Sequence, residues 1–99
     1  MLQRENLELV IEECAEVIQA CTKILRFGVD DSHPTYYDGL PNSQVLAEEV
    51  GQLLHCIDRL DLQMDDVIKA KARKREKLLI FGPDGTYLVE KAAAAQRKS

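Results

Sequence analysis

Tryptophan is absent from this 99-residue chain, and two phenylalanines and three tyrosines are its only aromatic residues. A core of stacked rings is therefore excluded. Burial falls to aliphatic side chains, within a 45% hydrophobic and 30% charged composition typical of a helical globular protein. Cysteine is scarce too. Cys14, Cys21 and Cys56 are odd in number, lack C-x-x-C or histidine-rich spacing, and lie on apolar helix faces. They read as reduced core residues rather than metal ligands or nucleophiles. No apolar run approaches the roughly 20 residues of a membrane span, and Met1-Leu2-Gln3-Arg4-Glu5 opens no secretory signal, so the cytoplasm is the expected compartment. Positive charge is outweighed, leaving a net charge of -4. That balance argues against a nucleic-acid polymer or an anionic membrane as partner and suits cations.

What is present is helical periodicity. From Leu7, apolar residues recur at Val10, Ile11, Cys14, Val17, Ile18, Cys21, Ile24 and Leu25, predicting a first helix over about residues 3–27, closed by Gly28. Its apolar arc centres near Cys14 and widens toward Leu9, Val17 and Ala20. Glu13 falls within the widened flank, Glu16 is its neighbour one turn on, and Glu12 points toward solvent. A loop rich in Asp, Pro and Gly follows, with His33, Tyr36 and Tyr37 as its rings. His33 reads as a surface residue. Either tyrosine can stack on a nucleobase or simply anchor the loop. Asn42 is a good N-cap for a second helix over about residues 43–60, whose apolar arc contains Glu49 between Leu53, Cys56 and Val45. Gln52 shares that flank, whereas Glu48, His55 and Asp58 face away. A third helix, about residues 64–79, opens on Asp65 and Asp66 and carries Lys69, Lys71, Arg73, Lys74, Arg75 and Lys77. These bases either meet a phosphate or soften the helix dipole. After Gly82-Pro83-Asp84-Gly85, a hairpin using residues 79–81 and 86–89 competes with a fourth helix through Ala92 to Ala95, and turn then helix is favoured.

The expected fold is all-α, a bundle of three to four helices in one domain over residues 1–99, with a peripheral tail from about residue 83. A lone chain this short buries only about two-thirds of its unfolded surface, so oligomerisation is expected to complete the core. A buried carboxylate must be paired, protonated or metal-bound. If the first two helices pack side by side, Glu13 and Glu16 face Glu49 and Gln52, an all-oxygen set that suits Mg²⁺. Salt bridges to bases of the third helix are the competing reading.

Glu12-Glu13-Cys14-Ala15-Glu16, followed after the loop by Leu46-Ala47-Glu48-Glu49-Val50-Gly51-Gln52-Leu53-Leu54, resembles the two signature segments of the MazG-like nucleotide pyrophosphohydrolases. These belong to the all-α NTP pyrophosphatase superfamily, whose pattern is E-E-x-x-E and then E-x-x-D. The resemblance spans about residues 8–57, including the Lys23-Ile24-Leu25-Arg26-Phe27-Gly28 helix end of short phage-type members. It implies a homodimer or homotetramer that hydrolyses a nucleoside or deoxynucleoside triphosphate to the monophosphate and pyrophosphate, using Mg²⁺, with Mn²⁺ as a substitute. It further implies Glu13, Glu16 and Glu49 as metal ligands, Glu12 as the residue holding or activating water, and Lys71 and Arg75 as phosphate contacts. Gln52 departs from the pattern, standing where the family has aspartate. Its carbonyl oxygen can still ligate Mg²⁺, but one negative charge is gone. A nucleotide-binding module with weakened catalysis is therefore one alternative, and a helical assembly protein without catalysis is another.

Overall fold

The computed structural model describes residues 1–32 and 39–82, and these form three α-helices: α1 Arg4–Phe27, α2 Asn42–Asp58 and α3 Met64–Phe81. No strand occurs among the described residues. The tyrosines of the loop and the choice between hairpin and fourth helix after Gly85 lie outside them. Residues 79–81 are helical, which removes the first arm of the competing hairpin. The chain divides into two compact units, Met1–Leu62 and a second beginning at Gln63.

In the first unit, α1 and α2 pack as an antiparallel hairpin. Its open end is tied by Asn6, whose Nδ2 donates to the carbonyl oxygens of Met1 (3.1 Å) and Arg59 (3.3 Å), while Arg59 Nε donates to Asn6 Oδ1 at 3.0 Å. The Met1 amine also donates to the Arg59 carbonyl at 2.6 Å. Asn6 is buried, and these bonds satisfy an amide that burial would otherwise penalise. At the loop end, Gly28 closes α1 with φ 96°, a value that favours glycine, and its N–H donates to the Ile24 carbonyl at 2.8 Å. Asn42 does not cap α2 as expected. Pro41 occupies the cap position, and Asn42 Nδ2 instead donates to the Gly28 carbonyl at 3.0 Å. With Asn42 N–H to Asp31 O (2.7 Å) and Ser43 N–H to Val29 O (3.0 Å), this clamps the two loop ends together. The side chain is spent between segments, where it satisfies a carbonyl that capping would leave open.

The interior between the helices takes Asn6, Ala20, Asn42, Val45, Glu49, Cys56 and Leu60 as buried residues, with Leu9, Val10, Val17, Ile24, Leu46, Leu53 and Ile57 half-buried around them. Cys14 and Cys21, expected in the core, are exposed, and only Cys56 is buried. The reason is rotational. The helix turns its widened flank toward α2, so the centre of its apolar arc is left uncovered. That centre is a stripe of Leu7, Ile11, Cys14, Ile18, Cys21 and Leu25, at alternating steps of four and three, and all six are exposed. Such spacing is the seam one helix offers another.

The second unit contains α3, which has no buried residue. Asp65 and Asp66 stand in its first turn, where the helix dipole favours negative charge. It runs to Phe81, two residues beyond the periodicity estimate, and ends at Gly82, where an added Cβ would lie 2.9 Å from the Leu78 carbonyl oxygen.

Candidate metal centre

Helical geometry and the hairpin register build this site together. Glu13 and Glu16 are three apart on α1 and so share a surface. Glu49, in the middle of α2, comes to the same level because the helices run antiparallel. One carboxylate oxygen from each of Glu13, Glu16 and Glu49 lies within 4.8 Å of the other two. Glu16 is exposed, Glu13 is half-buried, and Glu49 retains only 4% of its accessible surface.

Glu13 is the strained member. Its Oε2 is buried and accepts no hydrogen bond from any described donor. Burial pushes the Glu13 carboxyl above its ordinary value. The charge of Glu16, a hydrogen bond shared with it and the charge of Glu12 push the same way. A convergent oxygen set with a repelled, unsatisfied member is what a hard divalent cation relieves, since it supplies positive charge and accepts carboxylate ligands without demanding nitrogen or sulfur. The residues present therefore fit such an ion.

The remaining candidates are distributed as follows. Glu12 is exposed beside the cluster, as its place on the wheel predicts. Gln52 is exposed and lines a shallow, open groove with Glu13, Glu48, Gly51, His55 and Cys56. Glu48 and His55 are solvent-exposed as expected, yet they also form a wall of that groove, a role that the helical wheel of α2 alone does not reveal. Glu48, Gln52 and His55 follow one another at steps of four and three, and that stripe is the only local signal that pointed to them. Lys71 and Arg75 are exposed one turn apart on α3 and, with Lys74, Leu78 and Leu79, line a shallow groove of the second unit. Tyr36 and Tyr37 lie outside the described residues. No family model, curated protein or solved structure matches this chain. No helix among the described residues is long and apolar enough to cross a membrane.

Proposed function

We propose that this chain is a nucleoside triphosphate pyrophosphohydrolase of the MazG-like kind, cleaving a nucleoside or deoxynucleoside triphosphate to the monophosphate and pyrophosphate. The observation that carries the reading is the convergence of Glu13, Glu16 and Glu49 within 4.8 Å, drawn from two motifs that sit in the family's order. In this reading the three carboxylates hold Mg²⁺ or Mn²⁺, which when bound supplies the positive charge that a triphosphate and a departing pyrophosphate need. Glu12, exposed at the rim, orients the attacking water and takes its proton. Gln52 offers a neutral amide oxygen at the edge of the same cluster. The resemblance assigns phosphate contacts to Lys71 and Arg75, and it leaves Tyr36 and Tyr37, outside the described residues, either to stack on the base or to anchor their loop. The uncovered stripe of α1 joins a second copy of the chain in a dimer or tetramer, and the protein works in the cytoplasm.

A second reading keeps the ligands but not the turnover. Gln52 leaves three carboxylates in the cluster, which favours weaker cation binding and a nucleotide-binding module. Purified protein incubated with Mg²⁺ and a panel of canonical NTPs and dNTPs distinguishes the two. The enzyme releases pyrophosphate and monophosphate, and loses that release in Glu49→Gln and in chelator. Mg²⁺-dependent nucleotide binding without release selects the binding module. Neither binding nor release rejects both and leaves a helical assembly protein.

A further inference from the structure

Leu7, Ile11, Cys14, Ile18, Cys21 and Leu25 stand exposed in a row along about 27 Å of α1. Their steps of four and three assign Ile11, Ile18 and Leu25 to one seam position of a heptad and Leu7, Cys14 and Cys21 to the other. Laid against a reversed copy of itself, the row pairs Leu7 with Leu25, Ile11 with Cys21 and Cys14 with Ile18, each pair equally far on either side of residue 16. Every layer then holds a small thiol against an isoleucine, or two leucines at the ends. A parallel copy would stack thiol on thiol at two levels and isoleucine on isoleucine at two others, leaving thin layers that close packing does not tolerate. Ala15, exposed on the flank of the row near its midpoint, keeps that approach unobstructed.

Charge selects the same direction. Residues 4–16 carry Glu5, Glu8, Glu12, Glu13 and Glu16 against Arg4 alone, whereas residues 17–27 carry Lys23 and Arg26 and no acid. Antiparallel helices set each acidic half beside a basic half, and parallel helices set acid beside acid. A two-fold contact uses the same patch on both copies, and this patch matches itself in only one direction.

We propose that two copies of this chain associate through α1 in an antiparallel, two-fold arrangement whose axis passes at the level of residue 16. The inference rests on the second copy in the reading above and fixes its direction and register. It sets the two acidic clusters at the level of the axis and sends the two hairpin loops to opposite ends.

Disulfide mapping on the full chain tests it. Ile11→Cys/Cys14→Ser and Leu7→Cys/Leu25→Cys are treated with oxidised glutathione beside the parent, and links are assigned by mass spectrometry after cleavage at glutamate. Positions 11 and 21 are about 15 Å apart on one helix and positions 7 and 25 about 27 Å, beyond the reach of a disulfide, so either link must join two copies. All substituted residues are exposed, so α1 and α2 still pack. The parent is expected to scatter light as a dimer or larger and to form no covalent dimer, because Cys14 and Cys21 face isoleucines. The variants are expected to become covalent dimers, linked 11 to 21 and 7 to 25. A link between a position and its own counterpart, including Cys14 to Cys14 or Cys21 to Cys21 in the parent, overturns the inference in favour of parallel helices and leaves the second copy standing. Folded, associated variants that form neither link also overturn it, and put another surface between the copies. A parent that is monomeric at micromolar concentration overturns the inference together with the second copy beneath it.

Discussion

The two faces of α1 differ in a direction opposite to simple expectation. The stripe it turns to α2 includes Asn6, Glu13 and Ala20, whereas the stripe it leaves exposed is Leu7, Ile11, Cys14, Ile18, Cys21 and Leu25. Ile11 and Ile18 keep 67% and 65% of their accessible surface and Leu25 keeps 87%, so the more apolar face is the one this chain does not bury. The less apolar face is where carboxylates are brought together and where Asn6 and Arg59 lock the hairpin end. The side that carries the carboxylates is thus also the side packed within the chain. The more apolar stripe stays exposed, the kind of patch that marks an interaction surface.

The sharpest way to break this contrast is to charge the exposed stripe. In an assembly with two-fold symmetry each substitution counts twice, so Ile18→Asp is expected to weaken association by about 3–6 kcal/mol, the doubled burial of one large aliphatic side chain. Light scattering reads it as a fall to monomer, with helical circular dichroism retained because α1 and α2 still pack. A parent that is already monomeric at micromolar concentration removes the second copy from the account.

Truncation on the covered side should behave differently. Val45→Ala, at a residue retaining 4% exposure, is expected to cost about 1.5–3 kcal/mol and to lower the urea midpoint with little change in slope. Ile11→Ala, measured in the Ile18→Asp monomer background, is expected to leave the midpoint nearly unchanged. Equal losses from the two would mean that the monomer buries both faces.

The smallest effect concerns Glu13. Its folded value is raised above the ordinary 4.5, so the folded state binds more protons than the unfolded one between those two values, and stability falls as pH rises through that window. In metal-free protein the penalty grows as pH rises above about 4.5 and disappears on acidification below it. Glu13→Gln removes the titrating group. Its melting temperature should exceed the parent's at neutral pH, with the difference closing in acid. Saturating Mg²⁺ should also close it, by stabilising the parent alone. A gap that widens in acid would refute the assigned direction.

Much of this was legible in the residues. The spacing placed helices over about residues 3–27, 43–60 and 64–79, against Arg4–Phe27, Asn42–Asp58 and Met64–Phe81 in the structure. Gly28 was readable as a helix end because a positive φ has few other tenants. Glu49 was readable as buried because it sits among Val45, Leu53 and Cys56 on the wheel. The polar role of Asn42 was not, since a side-chain amide serves a cap and an inter-segment bond equally well and only the position of Gly28 selects between them. Cys14 and Cys21 were misread for a related reason: an apolar stripe specifies that something covers it, not what does.

The sequence by itself determined where each helix forms and which carboxylates sit a turn apart, because those depend on backbone preferences and on a repeat that operates within a few residues. Only the tertiary structure decided which flank of α1 meets α2. That rotation brings Glu16 and Glu49, distant along the chain, into one cluster, and makes exposed Glu48 and His55 the wall of a groove. The physical reason is that local periodicity offers several amphipathic faces of similar merit, and the choice among them is made by long-range terms: the loop clamp, the Asn6–Arg59 lock and the fit of Ala20 and Val45 into the interior.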